Sequence, residues 1–340
     1  MRLGLLCRGA AAALSLTLAA ANARAEVNIY STRTPNLIEP ILALFTQSTG
    51  IKVNLVTLPE SGITERLKTE GRLSPADLIV TADIARLAEA KDAGVTQPVD
   101  DAELSQAIPA AYRDPANHWF GVTTRARVLY VSKARVKPGE LTRYEDLADP
   151  KWKGRVCTRS GGHDYNIALL ASMIAHDGAA AAKTWLAGLK ANLARRPQGN
   201  DRTQVKAVMD GLCDVAVGNT YYYGLMLEDP EQKAWAEAVT AVFPNQADRG
   251  THVNLSGMAL TSGAPHRDDA LKLMRFMVET KAQQAYAALN YEYPILDTVP
   301  WSPVLQRLSG EFRIDTINLE AVARQRPAAI RMTNEVDFDG

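Results

Sequence analysis

Short strand patterns and amphipathic helix patterns alternate along most of this chain, and this alternation restricts the fold more than any other feature. In the first third, strands are predicted at 27–31, 51–58 and 77–81, and a helix pattern follows each of them. The first of these helices starts at Thr34, which can cap it, and ends at Gly50. A regular strand–helix alternation is typical of a largely parallel sheet covered by helices.

The rest of the chain repeats this alternation after a long extended stretch at 121–132. Strands are predicted at 155–158 and 214–218, a further extended segment at 251–261, and helices at 165–176, 183–191, 202–210 and 267–288. No Gly/Ser-rich linker separates the two halves. We therefore predict two α/β lobes joined by extended crossing strands rather than by one flexible linker.

The N-terminal segment 1–25 has the three parts of a secretory signal peptide. Arg2 and Arg8 precede an apolar run of small residues at 10–21, and the A-R-A triplet at 23–25 fits the cleavage pattern. A membrane anchor is the alternative interpretation, but the run is shorter than the about 20 residues that a membrane span needs. The sequence therefore predicts cleavage after this triplet and export to the periplasm.

Charge and motifs argue against several classes of protein. The predicted signal peptide contains three Arg and no acidic residue, so the mature chain has 35 basic against 38 acidic residues and a net charge of −3. A nucleic-acid surface usually needs a basic excess, and no later segment is apolar enough to be embedded in a membrane. The sequence has no nucleophile elbow, P-loop or His-Glu-x-x-His motif, so an exported enzyme on this scaffold is disfavoured.

Two cysteines, Cys157 and Cys213, remain after the predicted cleavage. A pair of cysteines in an oxidising compartment favours a disulfide, although two free buried thiols are the alternative. No Cys or His spacing supports a zinc site. We predict a Cys157–Cys213 disulfide.

Two strand-to-helix junctions carry residues that are suited to ligand binding. Ligands of open α/β sheets collect at the carboxyl ends of strands, where helix N-termini offer free N–H groups. Arg33 stands at the first junction, where a guanidinium can bind an anion; a surface ion pair is the alternative. Tyr165 follows the glycines of the second junction, at 160–165, and a core or surface tyrosine is the alternative there.

The third junction has three consecutive tyrosines, Tyr221, Tyr222 and Tyr223, after a strand. An isolated phenol has a pKa of about 10, but a highly charged cation can displace its proton. Phenolate oxygen is a hard donor that suits a hard ion such as Fe(III). The sequence therefore permits an all-oxygen metal site, while a local aromatic cluster remains the alternative.

Several segments of the mature chain carry a family resemblance: NIYSTRTPNLIEPILALF, SPADLIVTADIARL, WKGRVCTRSGGHDYN and DVAVGNTYYYG. Together they resemble the periplasmic ferric-ion-binding proteins, the solute-binding subunits of iron(III) ABC transporters. The resemblance implies a type II periplasmic binding protein fold, with two α/β lobes that close on a ligand in the cleft by hinge motion. It implies an N-terminal lobe of 26–122 plus 252–302 and a C-terminal lobe of 123–251 plus 303–340.

The resemblance also implies a ferric site. Tyr165, Tyr221 and Tyr222 resemble the metal-binding tyrosines, and Tyr223 is expected to pack or to form a hydrogen bond nearby. Arg33 resembles the arginine of the N-terminal lobe that faces a carbonate-like synergistic anion.

Three other positions bear on that anion. Arg202 and Arg127 are further candidates for charge balance. Thr34 stands where some family members have a His-Tyr pair or a Gln, and it cannot be a strong metal ligand. Three phenolates would neutralise Fe(III) and leave about three of its six positions, of which a bidentate anion would fill two.

The resemblance implies a monomer that delivers iron to an inner-membrane ABC permease and its ATPase. The alternative function is a solute-binding protein of the same fold for an organic anion or oxyanion. In that case Arg33 and the helix starts would hold the ligand, and the tyrosines would stack on it or donate hydrogen bonds to it.

Overall fold

The structure is a computed structural model that describes residues 25–59 and 62–340, so the predicted signal peptide, apart from Ala25, lies outside the described residues. The strands are β1 (Glu26–Ser31), β2 (Lys52–Thr57), β3 (Leu78–Thr81), β4 (Phe120–Ser132), β5 (Val156–Cys157), β6 (Val215–Asn219), β7 (Val239–Val242), β8 (Val253–Leu260) and β9 (Tyr293–Pro294). The α-helices are α1 (Pro35–Thr49), α2 (Gly62–Glu70), α3 (Ile84–Asp92), α4 (Ala102–Ala107), α5 (Asp164–Ala191), α6 (Asp201–Met209), α7 (Tyr221–Glu228), α8 (Lys233–Glu237), α9 (Arg267–Met277), α10 (Thr280–Ala285), α11 (Pro303–Ser309), α12 (Leu319–Arg324) and α13 (Arg326–Glu335).

The strands form one mixed sheet in the order β2-β1-β3-β8-β4-β6-β5, with β7 and β9 also pairing with β4. Pairing is parallel between β1 and both of its neighbours, and between β5 and β6. It is antiparallel wherever β8 or β4 takes part. The expectation of a largely parallel sheet is therefore wrong at the centre, because β4 and β8 cross between the two halves in opposite directions.

Strand β4 is the main link between the halves of the molecule. Residues 120–126 pair with β8 and residues 127–131 pair with β6, so one strand belongs to both halves of the sheet. All of its 13 residues are buried, including Arg125 and Arg127 near its middle. A strand that is covered on both faces usually consists of apolar residues, so these two arginines need polar partners in the interior.

Each half of the sheet has its own apolar core. One core contains Ile38 and Phe45 of α1 together with Leu273 of α9, and the other contains Trp185 of α5 together with Val217 of β6. Two further apolar clusters, one containing Tyr130 and Val205 and the other Ile79 and Leu87, also pack on the sheet. Helices thus pack on both halves of one continuous sheet, in agreement with the predicted two-lobe α/β architecture. Among the described helices, none is long and apolar enough to cross a membrane.

One helix prediction is confirmed and one differs from the structure. The two helices predicted at 165–176 and 183–191 are the two parts of α5, which are separated by a kink at Gly178, where φ is 82° and ψ is 163°. The single helix predicted at 267–288 is wrong, because the chain leaves helical geometry around Glu279 and resumes as α10. The buried amide of Gln283 stabilises this break, since its Nε2 donates to the freed carbonyl of Met277 at 2.9 Å.

Cys157 and Cys213 form the predicted disulfide, with their Cα atoms 5.9 Å apart and a sequence separation of 56. Cys157 ends β5 and Cys213 lies just before β6, and both side chains are buried. The bond therefore ties together two parallel strands whose carboxyl ends lead into Tyr165 and Tyr221.

We predict that replacing both cysteines, as Cys157→Ala with Cys213→Ala, lowers the free energy of unfolding by about 4 kcal/mol. The physical reason is the greater chain entropy of the unfolded state once a loop of this length is opened. Urea denaturation of the two proteins measures the difference. Two alkylatable thiols in the native, unreduced protein, or an unchanged free energy of unfolding, would contradict the prediction.

Candidate ligand-binding cleft

A cleft with a cavity of about 410 Å³ lies between the two halves of the molecule. All three junctions that the sequence analysis selected contribute to its lining, together with residues from the crossing strand and from the segment after α10. The lining residues used below are Arg33, Thr34, Arg125, Arg159, His163, Tyr165, Arg202, Tyr221, Tyr222 and Glu292.

Tyr165, Tyr221 and Tyr222 meet on one wall of this cleft. The phenol oxygens of Tyr165 and Tyr221 are 3.2 Å apart, and the ring of Tyr222 packs against the ring of Tyr221 with centroids 4.1 Å apart. Tyr165 is held by the start of α5, where Nδ1 of His163 accepts a hydrogen bond from the backbone N–H of Tyr165. Two helix starts on neighbouring strands therefore bring these phenols together.

Two phenols of this wall, those of Tyr221 and Tyr222, resist ionisation. Burial raises the pKa of Tyr221 well above its usual value, and the nearby Tyr165 and Tyr222 raise it further. Burial, Tyr165 and Asp201 likewise raise the pKa of Tyr222. Tyr221 and Tyr222 therefore stay protonated at neutral pH until a ligand of high positive charge displaces their protons.

Arg33 faces the cleft from the first junction, but it also has a carboxylate partner. Its guanidinium binds Glu292 through two hydrogen bonds of 3.0 Å, and both side chains are buried. Burial alone would lower the pKa of Arg33, but Glu292 raises it. Thr34 lines the cleft beside it, although its side chain makes no capping hydrogen bond to α1. The carbonyl of Thr34 instead accepts from the N–H of Leu37.

Arg127 lies behind the tyrosines rather than on the cleft. It donates to the buried carboxylate of Asp201 at 2.6 Å and to the side-chain oxygens of Asn219 and Asn166. Asp201 also accepts from Arg159, which does line the cleft, at 3.2 Å. The structure thus places Arg127 in a buried ion pair and leaves Arg159 as the cleft member of that group.

Two cleft arginines have no carboxylate partner among residues 25–59 and 62–340. Arg202 donates to the amide oxygen of Gln232 at 3.3 Å, and Arg125 donates to the hydroxyl of Ser256 at 3.2 Å. The guanidinium of Arg125 also lies 5.5 Å from the ring centroid of Tyr165. With one lining carboxylate already paired to Arg33, the cleft is electropositive, which favours a negatively charged ligand or phenolates.

Tyr223, the last tyrosine of the run, does not line the cleft. Its ring stacks on Tyr130 with centroids 6.4 Å apart, in agreement with the expectation that it packs nearby. Within the described residues, no group of three or more His, Cys, Asp or Glu side chains could hold a metal ion. The three phenols Tyr165, Tyr221 and Tyr222 are therefore the group of oxygen donors on the described cleft wall that is best suited to a cation.

Sequence reasoning missed Arg125, Arg159, Glu292 and Ser256. Arg125 had a usable signal, because it lies two residues before Arg127 on the same extended segment and so shares its face. Arg159 also had one, because it directly precedes the second junction. Glu292 and Ser256 are brought to the cleft by tertiary packing, and no local pattern marks them.

Comparisons with known proteins agree with this geometry. The family model described as bacterial extracellular solute-binding protein matches residues 41–310. Iron uptake protein A1 of Synechocystis sp. is 46% identical over 315 residues, which are 92% of this chain and 87% of that protein. The apo ferric ion-binding protein A of Pasteurella haemolytica is 48% identical, with a TM-score of 0.89 over 93% of this chain and 98% of that one. A Trichodesmium protein solved with iron and citrate ligands is 39% identical, with a TM-score of 0.86 over 92% of this chain and 99% of that one.

We predict that Asp201→Asn lowers the free energy of unfolding by about 3–5 kcal/mol, because it leaves Arg127 buried without its counter-ion. Asp210→Asn is the matched control, since Asp210 follows the same helix and pairs with Lys206 at the surface. The control should change the free energy of unfolding by less than about 1 kcal/mol. Urea denaturation compares the two, and equal small effects would show that the ion pair is not structurally important.

Proposed function

The chain belongs to the family of bacterial extracellular solute-binding proteins and has the two-lobe, type II periplasmic binding protein fold, and from this premise we propose that it binds ferric iron. Tyr165, Tyr221 and Tyr222 are the proposed ligands, as tyrosinates. The observation that carries the proposal is the convergence of these phenols at the start of two helices, with two of the oxygens 3.2 Å apart. The names of the relatives, which include iron uptake and ferric ion-binding proteins, support the same cargo.

The charges of the cleft fit a trivalent cation only if the phenols ionise. Arg33, Arg125, Arg159 and Arg202 would repel a bare cation, and Glu292 is already paired. Three phenolates would cancel the charge of Fe(III), and their hard oxygens match this ion. Because the phenols start out protonated, iron binding releases protons, and iron affinity falls as the pH falls.

A synergistic anion completes the proposed site. Neither Thr34 nor Arg33 can be a strong ligand, and Glu292, the carboxylate of the N-terminal half that lines the cleft, is already paired with Arg33. The anion is therefore proposed to fill positions of the ion from that side of the cleft. A carbonate-like anion bound to iron could accept hydrogen bonds from the cleft arginines. Arg33, which Glu292 holds in place, and Arg202 are the proposed partners of this anion. Arg127 is not, because its charge is paired with Asp201.

The family and the two-lobe fold support a role in delivering iron to a transporter. We infer that the mature chain acts in the periplasm as a monomer and passes iron to an inner-membrane ABC permease and its ATPase. The lobes that would close on the ion are 26–122 plus 252–302 and 123–251 plus 303–340. Hinge closure of two lobes around a ligand is an established mode of motion in such proteins.

Titration with Fe(III) should produce a phenolate-to-iron charge-transfer band in the visible spectrum that saturates at one equivalent. Tyr221→Phe and Tyr222→Phe should each lower iron affinity by more than about tenfold. Loss of a residue that only hydrogen-bonds to a metal ligand already lowers metal affinity by about tenfold, and loss of a ligand should lower it further. Tyr223→Phe is the matched control from the same run, and it should bind iron like the wild-type protein. Full iron affinity in the double variant Tyr221→Phe/Tyr222→Phe, with the fold intact, would disprove the tyrosinate assignment.

Bicarbonate should strengthen iron binding, and this effect should depend on Arg33. The double variant Arg33→Gln/Glu292→Gln removes both charges of the buried pair together, so no unpaired carboxylate is left behind. We expect its iron affinity in bicarbonate to fall by about tenfold, since a charge-assisted bidentate contact is lost. Iron affinity is measured by competition with a chelator, with and without bicarbonate.

The electropositive cleft also favours the second candidate, an organic-anion or oxyanion receptor. A flat visible spectrum with Fe(III), in a protein that remains folded, would support this candidate instead. Isothermal calorimetry with di- and tricarboxylates in the absence of iron would then identify the class of ligand.

A further inference from the structure

A second, smaller cavity lies behind Tyr165, where the strands of the two halves meet. Its volume is about 10 Å³, which is enough for one water molecule or one small ion. The cavity is lined by Arg125, Arg127, Tyr165, Ala168, Asn219, His252 and Asn254.

The sheet explains why these polar residues meet. Arg125 and Arg127 are two residues apart on β4 and therefore share a face. Asn254 of β8 lies opposite Arg125, and Asn219 of β6 lies opposite Arg127. The backbone of His252 is bonded to Arg127 as well. Three adjacent strands thus present five polar side chains, all more than nine-tenths buried.

Several hydrogen-bonding atoms of the residues that line this cavity have no partner among the described residues. Nε and Nη2 of Arg125, Nε of Arg127 and Nδ2 of Asn219 have no hydrogen-bond partner among the described residues. All four atoms are donors only. A water molecule has two lone pairs and brings two hydrogens of its own, so it cannot satisfy four donors, whereas an anion can accept from all of them.

The charges of the residues around the cavity also favour an anion. The lining contains two guanidiniums and no carboxylate. Asp201 pairs with Arg127, and Glu292 pairs with Arg33, so neither is available to Arg125. The carboxylate of Asp83, another buried acid of this region, accepts from Asn254 Nδ2 and from the N–H of Ala85.

The remaining titratable group of the lining carries no charge at neutral pH. Burial, together with the neighbouring Arg127 and Arg125, lowers the pKa of His252 to about 3. Arg125 is therefore a buried cation with no carboxylate in ion-pair contact among the described residues, although Asp83 interacts with it at longer range, and such an arrangement is costly.

We propose that this cavity binds a single small monovalent anion, chloride, through the unpartnered N–H groups of Arg125, Arg127 and Asn219. The bound ion neutralises Arg125 at the point where the crossing strands meet and fixes the guanidinium beneath the ring of Tyr165. The cavity adjoins the cleft, since Arg125 and Tyr165 line both, but the proposed anion does not depend on iron being the cargo.

Crystals of the iron-free, wild-type mature protein in bromide give the direct test. Bromide replaces chloride and scatters anomalously, so the expected result is one anomalous peak in the cavity beside Arg125 and Asn219. The companion measurement is the melting temperature in sodium chloride and in sodium gluconate of equal ionic strength, because gluconate is too large for the cavity. At a chloride concentration ten times the Kd, the melting temperature should be higher by about 3 °C.

A variant with a negative charge in the cavity tests whether chloride raises the melting temperature by binding there. Asn219→Asp has nearly the same shape and places a permanent carboxylate oxygen in the cavity, so the melting temperature should no longer depend on chloride. Asn334→Asp is the matched control, since it adds the same charge at an exposed position, and it should keep the chloride effect.

Two outcomes would overturn the proposal. The absence of a bromide peak, with equal melting temperatures in chloride and gluconate, would mean that the cavity holds only water. A chloride effect that persists in Asn219→Asp would place the anion elsewhere. If this variant does not fold, the bromide map of the wild-type protein still decides the question, and neither result depends on iron binding.

Discussion

The buried carboxylate of Asp201 is the interaction on which the centre of the structure depends. It accepts hydrogen bonds from Arg127 of the crossing strand, from Arg159 at the second junction and from the backbone N–H of Asn219 at the end of β6. It also begins α6, where the positive end of the helix dipole stabilises a negative charge. One fully buried group therefore joins the three segments that surround the tyrosines, and the phenols are held in place through them.

The sequence was informative where local chemistry determines the structure. Periodicity located the strands and helices of both halves, and the ends of the strands identified Arg33, Tyr165 and Tyr221 as neighbours across the chain. The disulfide could be predicted because only two cysteines lie outside the predicted signal peptide. These inferences succeed because a strand-to-helix junction in an α/β sheet places its residues at a known edge, whatever the rest of the chain does.

The remaining features depend on tertiary packing that no local pattern encodes. The antiparallel centre of the sheet arises because β4 and β8 are shared by both halves, whereas strand–helix alternation alone predicts parallel neighbours. Glu292 reaches Arg33 over 259 residues of sequence, and its own surroundings in the chain resemble an ordinary loop. Arg127 is a second example of what the sequence cannot predict. Its position on the crossing strand suggested a cleft residue, but its guanidinium is paired with the buried Asp201 instead.

The sharing of β4 by both halves also limits how the molecule can move. A domain that hangs on a loop can swing in many directions, but here the connection is a fully buried strand with hydrogen-bonded neighbours on both sides. If the cleft opens and closes, a connection of this kind favours a twist of the sheet about its crossing strands, which would displace residues near these strands least. The arginines at the middle of β4 lie there, so the electrostatic field that they exert on the tyrosine wall would stay nearly constant while the opposite wall of the cleft moved.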